Sequence, residues 1–464
     1  MNKIRVRFAP SPTGHLHIGG LRTALFNWLF AKHNDGKFLI RVEDTDLERS
    51  KPEYLESILN SLGWASLHSD EPIVIQSTRI EEHKRVAKKL LDEGKAYRCI
   101  CTQEELTKRL GASAAQEGYV KYDGLCRNKN YPENVDKPFV VRFKLPEKSI
   151  TISFDDLIRG SVSFDTDQFD DFIILRSDGM PMYNFVVIVD DAFMKISHVI
   201  RGEEHLSNTP KQILLYQACG YEIPEFAHLP LILGKDGKKL SKRDAAVAVL
   251  DYKNEGYLAS ALCNYLVRLG WAYKDQEIFT TDEMIKNFLL KDVSKKGAFF
   301  DIAKLQWLNS VYLKKLSAKE IIEIIERDLD KNFIQYFAKW NLEQVHGFVD
   351  LYKQRVKTLK ELIQELKDIY NIQIYDVKNL EFSIDLNLKK VLLDFIKELE
   401  KKEKIDSEFV KQFCGKENIE LSYLAKPIRF ALTGKIHAPA IADLYNLIGK
   451  SESINRINNL INKI

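Results

Sequence analysis

Apolar positions in the C-terminal half recur by threes and fours. Leu388, Val391, Leu392, Phe395, Ile396 and Leu399 make one run, and Leu359, Leu362, Ile363, Leu366 and Ile369 make another. Both predict amphipathic helices with one stripe turned to a core, and Lys397, Lys401, Lys402 and Lys404 fall on outer faces. The chain after about residue 245 is therefore expected to be mainly helical. The N-terminal part has a different rhythm. A strand-like segment, Lys3–Ala9, leads through a Pro/Gly loop into a helical run from about Leu21 to Lys32, then into strand-like Lys37–Asp44. That β-α-β order predicts α/β structure, a parallel sheet with crossover helices. Strand-like segments return at Asp171–Ser177, Phe185–Asp190 and Ser197–Gly202, followed by a helical stretch from about Thr209 to Ala218. The sheet is thus expected to be split by a region of short strands and turns, roughly residues 78–184, which reads as an inserted domain.

Length and composition fit this modular picture. At 464 residues the chain exceeds one ordinary core; a prior of ~150 residues per domain suggests about three units or more. Hydrophobic residues make up 45% and charged residues 29%, enough apolar material to exclude general disorder. A net charge of +3 neither argues for nor against a nucleic-acid partner, which would have to meet local basic surfaces. The N-terminus lacks the apolar core of a secretory signal, and no segment approaches the ~20 apolar residues of a membrane span. Six cysteines in a chain this long do not form a disulfide framework. A cytoplasmic, reducing location without membrane attachment is expected.

Two segments carry candidate phosphate chemistry. Ala9–Gly20, with His15, His17, Gly19 and Gly20, lies between a strand and a helix, where backbone N–H groups and the helix dipole receive anions. The two imidazoles add donors for charge growing on a phosphate. The same residue types also make an ordinary turn and cap. Gly234–Arg243 is a glycine-containing loop with five cationic side chains, Lys239 and Lys242 among them, together with Ser241. Alone, it reads more readily as a solvated charge run.

Together, these segments resemble the paired signatures of class I aminoacyl-tRNA synthetases. His17-Ile18-Gly19-Gly20 is similar to the class HIGH motif and Lys239-Leu240-Ser241-Lys242-Arg243 to the KMSKS loop. The flanking Ala9-Pro10-Ser11-Pro12-Thr13-Gly14 resembles the glutamyl-tRNA synthetases. So do Arg41-Val42-Glu43-Asp44-Thr45-Asp46, Arg201-Gly202-Glu203-Glu204-His205, Pro427-Ile428-Arg429 and Leu432-Thr433-Gly434, which carry the resemblance along nearly the whole chain. One departure from the class motif is Gly20 in place of its second histidine, as in the glutamyl branch.

The resemblance implies a class I Rossmann-like catalytic domain with an inserted acceptor-binding domain, followed by all-helical anticodon-binding domains. The expected boundaries are 1–77 and 185–235 for the catalytic halves and 78–184 for the insert. The remainder divides into 236–320 for the KMSKS loop and stem-contact domain, and 321–370 and 371–464 for the anticodon-binding parts. It implies ATP with Mg²⁺, L-glutamate and tRNA-Glu as reactants, with charging of tRNA-Gln left open, in a monomer. His17, His15 and Lys242 would serve catalysis, and Gly19, Gly20, Lys239, Ser241 and Lys242 would hold ATP. Arg7, Ala9, Ser11, Glu43, Tyr183 and Arg201 match glutamate-binding positions. Guanidinium grips a carboxylate bidentately, as lysine does not, and Glu43 would meet the substrate ammonium. Arg355 is a candidate tRNA contact.

Cys99 and Cys101 stand one residue apart, with Cys126 following after 24 intervening residues and Tyr122 four positions before it. Thiolates suit structural zinc, which takes four donors. The spacing resembles the zinc-binding insert of some glutamyl enzymes, which implies Cys99, Cys101, Cys126 and Tyr122 as ligands; Asn128 stands where some relatives have histidine. Reduced cysteines in a metal-free insert are the other reading. Cys219, Cys263 and Cys414 fall in helical patterns and are expected in cores.

Overall fold

The computed structural model describes residues 3–46, 48–110, 121–238, 240, 248–372, 382 and 386–463. Its first strand, Arg5–Phe8, pairs in parallel with Lys37–Val42 on one side and with His198–Gly202 on the other. Strands covered on both faces carry continuous rather than alternating apolar character, and Phe38 to Val42 are all buried. The full sheet runs Val74–Ile75, Lys37–Val42, Arg5–Phe8, His198–Gly202, Glu225–Leu229, Thr151–Asp156, Gly160–Asp165. Neighbours are parallel except for the last two strands, which form an antiparallel hairpin. Helix Ile18–His33 makes the first crossover. Arg5–Phe8 connects forward to Lys37–Val42 while His198–Gly202 arrives from far along the chain, so the strand order reverses between Arg5–Phe8 and His198–Gly202, and the carboxyl ends at such a reversal are where α/β sheets bind ligands.

Phe185–Asp190, expected as a strand, is instead the middle of a helix, Tyr183–Phe193. Every residue from Phe185 to Asp191 is buried. A helix covered on all sides has no polar face, so the 3.6-residue period disappears, and a run of Val and Ile then imitates a buried strand. Phe185, Ile188 and Val189 pack with Leu39, Val86 and Val199. Of the segment Asp171–Ser177, Ile173–Leu175 is a strand, but it joins a separate antiparallel sheet with Ala96–Cys99 and Val140–Phe143.

The chain divides into two compact units, Met1–Leu250 with Cys263–Phe300, and Asp251–Leu262 with Asp301–Ile464. The second is helical. Its helices include Leu359–Tyr370 and Leu386–Leu399, where the periodic runs were read. Ser317 and Asn341 each start a helix with a reciprocal cap, their side chains accepting from the N–H three residues on while Glu320 and Gln344 return the bond. Ile325, Phe348, Leu362, Phe395 and Leu460 belong to one continuous core. Cys219, Cys263 and Cys414 are buried, as expected. Among the described residues no helix is long and apolar enough to cross a membrane.

Phe348 is fully buried at the centre of this helical core. Phe348→Ala is expected to lower unfolding stability by about 3–5 kcal/mol, through lost burial and a residual cavity. Urea denaturation checks this; a loss under about 1 kcal/mol would mean the core collapses freely around the vacancy.

Candidate active site

The loop after the first strand is fastened at several points. The Glu43 N–H donates to the Pro10 carbonyl at 2.9 Å and the Lys51 N–H to that of Pro12 at 3.0 Å, which ties the loop to the end of the second strand. His17 is the N-cap of helix Ile18–His33: its Nδ1 accepts from the Gly20 N–H at 3.1 Å. Acceptance at Nδ1 places the proton of the neutral ring on Nε2, a donor. The first turn of that helix has no acidic residue to compete with an anion. A Cβ at Gly19 would sit 3.0 Å from the His17 ring, so the capping ring would have to shift to admit one. His15, also exposed, bonds Ser57 Oγ through Nδ1 at 2.9 Å and stands edge-on to Tyr54. Lys239, Ser241 and Lys242 lie outside the described residues. Ala248, the next described residue after them, bridges to His17, and the Val249 N–H donates to the Leu16 carbonyl at 2.8 Å.

Beneath this loop lies a set of buried ions. Arg7 Nε and Nη2 meet the two oxygens of Asp191 at 3.0 and 3.2 Å. Arg41 Nη1 also bonds Asp191 Oδ1, while Arg41 Nη2 and Nε hold Glu43 Oε1 at 2.8 and 3.3 Å. The four side chains are between 0% and 8% exposed. Burial alone would push the Asp191 carboxyl up, but Arg41 and Arg7 more than offset it and hold it down at about 2. At Glu43 burial wins, and its carboxyl is raised despite Arg41. The neighbouring Asp190 faces elsewhere, accepting from Arg79 Nε at 2.8 Å and Gln76 Nε2 at 2.9 Å and meeting His83 at 2.9 Å.

Arg201 occupies the adjacent parallel strand, in register with His228 on the next. Its Nη2 donates to Thr209 Oγ1 at 2.8 Å and its Nε to His228 Nε2 at 3.2 Å; His228 Nδ1 in turn meets Asp156 Oδ2 at 2.6 Å. None of these partners of Arg201 is anionic. Its Nη1 is buried with no hydrogen-bond partner among the described residues. Burial draws the Arg201 guanidinium below its ordinary value, with Arg7 adding repulsion. Tyr183 Oη lies 3.2 Å from His205 Nδ1, and burial with the nearby Glu43 charge raises its phenol. The fold thus brings Arg7, Glu43, Tyr183 and Arg201 into one electrostatic neighbourhood. Ala9, half-buried, and Ser11, exposed, follow Arg7 into the loop.

Comparison with known proteins gives the family. Residues 3–307 match the family described as tRNA synthetases class I (E and Q), catalytic domain, and residues 320–461 match an anticodon binding domain. A glutamate–tRNA ligase of Thermodesulfovibrio yellowstonii is 44% identical, over 99% of both chains. The chain belongs to the glutamate–tRNA ligase family of class I tRNA synthetases. A second relative, glutamate–tRNA ligase 1 of Coxiella burnetii, is 43% identical over 99% of this chain and 98% of its own. The crystal structure of a glutamate–tRNA ligase from Elizabethkingia meningosepticum, in complex with its amino acid, superposes with a TM-score of 0.88 at 35% identity, over 99% of each chain.

In this tRNA synthetase a second constellation lies in the region of the small antiparallel sheet. The sulfurs of Cys99, Cys101 and Cys126 all lie within 4.8 Å of one another. Cys99 Sγ is 3.3 Å from Tyr122 Oη, which also accepts the Cys126 N–H at 2.7 Å. Zinc–sulfur bonds of ~2.3 Å put tetrahedral thiolates roughly 3.8 Å apart, so the three thiols and the phenol fit a common vertex. Burial pushes the Cys101 thiol up to about 12.

Asp191, Arg41, Thr209, His228 and Asp156 support the ion set and were assigned no site role from sequence. The available signal was the acidic pair Asp190-Asp191 closing an apolar run. His205, also part of this neighbourhood, is held down at about 4, first by burial and then by Arg201. An unfolded chain protonates this residue near its ordinary value of 6.5, well before the folded one does. Its contribution to stability is therefore complete above that value and lost as pH falls towards about 4. Between about pH 7 and about pH 5, the urea midpoint of His205→Gln is expected to fall less than that of the wild type. Equal falls would remove His205 from the acid response.

Proposed function

We propose that this chain joins L-glutamate to tRNA-Glu in two steps. The glutamate α-carboxylate attacks the ATP α-phosphorus, giving glutamyl-adenylate and pyrophosphate; the acyl group then passes to the 2′-hydroxyl of the terminal adenosine of tRNA, releasing AMP. The observation that carries the glutamate assignment is the buried Arg201 Nη1, which has no hydrogen-bond partner among the described residues. A cation this desolvated calls for an anion, and a neutral amide in its place would leave the charge unmatched, at a cost on the order of a few kcal/mol. Arg7 and Arg201 would grip the substrate carboxylates and Glu43 its ammonium, with Tyr183, Ala9 and Ser11 lining the pocket.

His17 Nε2, His15 and the amides of Gly19 and Gly20 would face the phosphates. Lys242 and Lys239 would neutralise the leaving pyrophosphate and Ser241 would hydrogen-bond it; the chain that follows them is fastened beside His17 at Ala248 and Val249. Mg²⁺ bound with ATP would supply further charge neutralisation. Catalysis would come mainly from placement and electrostatics. Residues 78–184 would receive the acceptor end and 236–320 the stem. The parts 321–370 and 371–464 would bind the anticodon region, with Arg355 as a contact, in a cytoplasmic monomer.

Charging assays with labelled glutamate test this reading. Arg7→Ala and Arg201→Ala are each expected to raise the glutamate KM by about ten-fold or more, as loss of a charge-assisted hydrogen bond does. An unchanged KM in both would sink the pocket. Purified tRNA-Glu and tRNA-Gln, assayed side by side, decide whether the enzyme is discriminating or also charges tRNA-Gln.

Cys99, Cys101, Cys126 and Tyr122 would hold a structural zinc that clamps the insert. Protein purified under reducing conditions is expected to carry about one zinc per chain, with Cys99→Ser losing it. Metal analysis finding none after zinc loading would favour the metal-free reading.

A further inference from the structure

Taking the pocket as the glutamate site proposed above, we infer that Asp191 is its positioning residue: one carboxylate fixes Arg7 directly and, through Arg41, Glu43. The geometry is economical. Arg7 is docked along its Nε–Nη2 edge, which leaves Nη1 outside the pairing. Arg41 spends Nε and Nη2 on Glu43 Oε1, which leaves Oε2 outside that pairing. Each of the two side chains expected to meet substrate is therefore held at one end, with the other outside that pairing. Tyr216 Oη, 3.4 Å from Asp191 Oδ2, limits the freedom of the carboxylate itself. Helix Tyr183–Phe193, buried along most of its length, holds Asp191 in place.

The electrostatics support the same role. Arg7, Arg41, Arg201, Glu43 and Asp191 are all buried, and it is Arg41 and Arg7 that hold the Asp191 carboxyl down. Neutralising Asp191 would release Arg7 and Arg41 from their common anchor and bring the guanidinium groups into mutual repulsion.

Asp190 provides the control. It is equally buried, on the same helix and also ion-paired, but it contacts neither Arg7 nor Glu43. The experiment uses the full chain at saturating ATP and tRNA, with glutamate varied and melting temperatures recorded. Asp191→Asn is expected to raise the glutamate KM about ten- to hundred-fold while the ATP KM moves less than about two-fold. Asp190→Asn is expected to lower the melting temperature comparably yet keep the glutamate KM within about three-fold of wild type. An unchanged glutamate KM in Asp191→Asn, or an equal rise in Asp190→Asn, overturns the inference. If Asp191→Asn does not accumulate folded, Tyr216→Phe decides: a glutamate KM raised about two- to five-fold supports the role, and no change overturns it. Failure of the pocket reading is distinct, because it would appear as Arg201→Ala and Arg7→Ala without effect on glutamate.

Discussion

A charge taken out of water must be met, and the catalytic unit is organised around that requirement. Arg7 and Arg41 lie on two strands, Glu43 just beyond the second and Asp191 on a helix; they come together only in the folded chain, and each supplies what another lacks. Asp191 stays ionised because two guanidiniums meet it. Arg201, one strand away, pairs with no carboxylate among the described residues and keeps a buried N–H without a partner there. The sheet order explains why these groups meet. Arg5–Phe8 and His198–Gly202 are neighbours in space, and their parallel carboxyl ends deliver Arg7 and Arg201 to the same side.

What could be read from sequence followed the range of the forces involved. The helices of the second unit were legible because each has a wet face and a dry face, as Leu362 and Leu366 against Lys360 and Lys367 illustrate. Strands Arg5–Phe8, Lys37–Val42 and His198–Gly202 were legible from short apolar runs between turn residues. Helix Tyr183–Phe193 was not, since uniform burial erased its period. That error concealed Asp191. Its partner Arg7 is 184 residues away, and no local pattern announces such a pairing. Arg7, Glu43 and Arg201 were singled out because they sit in recognisable motifs, whereas the residues that hold them do not.

The cysteines make the complementary case. Cys99 and Cys101 announce themselves by spacing, but the approach of Cys126 and Tyr122 depends on the chain folding back over the end of a strand. Tyr122 also serves a purely structural purpose by accepting the Cys126 N–H. Its phenol thus orients the third thiol whatever else it binds.

The half-held Glu43 has a consequence for the cell's traffic in small acids. Dicarboxylates that lack an amine satisfy two guanidiniums as well as glutamate does, so cationic groups alone would admit them. Glu43 is a buried carboxylate whose ionisation burial already disfavours. A guest without an ammonium brings the same two carboxylates as glutamate and no counter-charge for Glu43. If the pocket binds as proposed, Glu43 acts as a gatekeeper against the deaminated acids of central metabolism, and the arginines alone could not make that distinction.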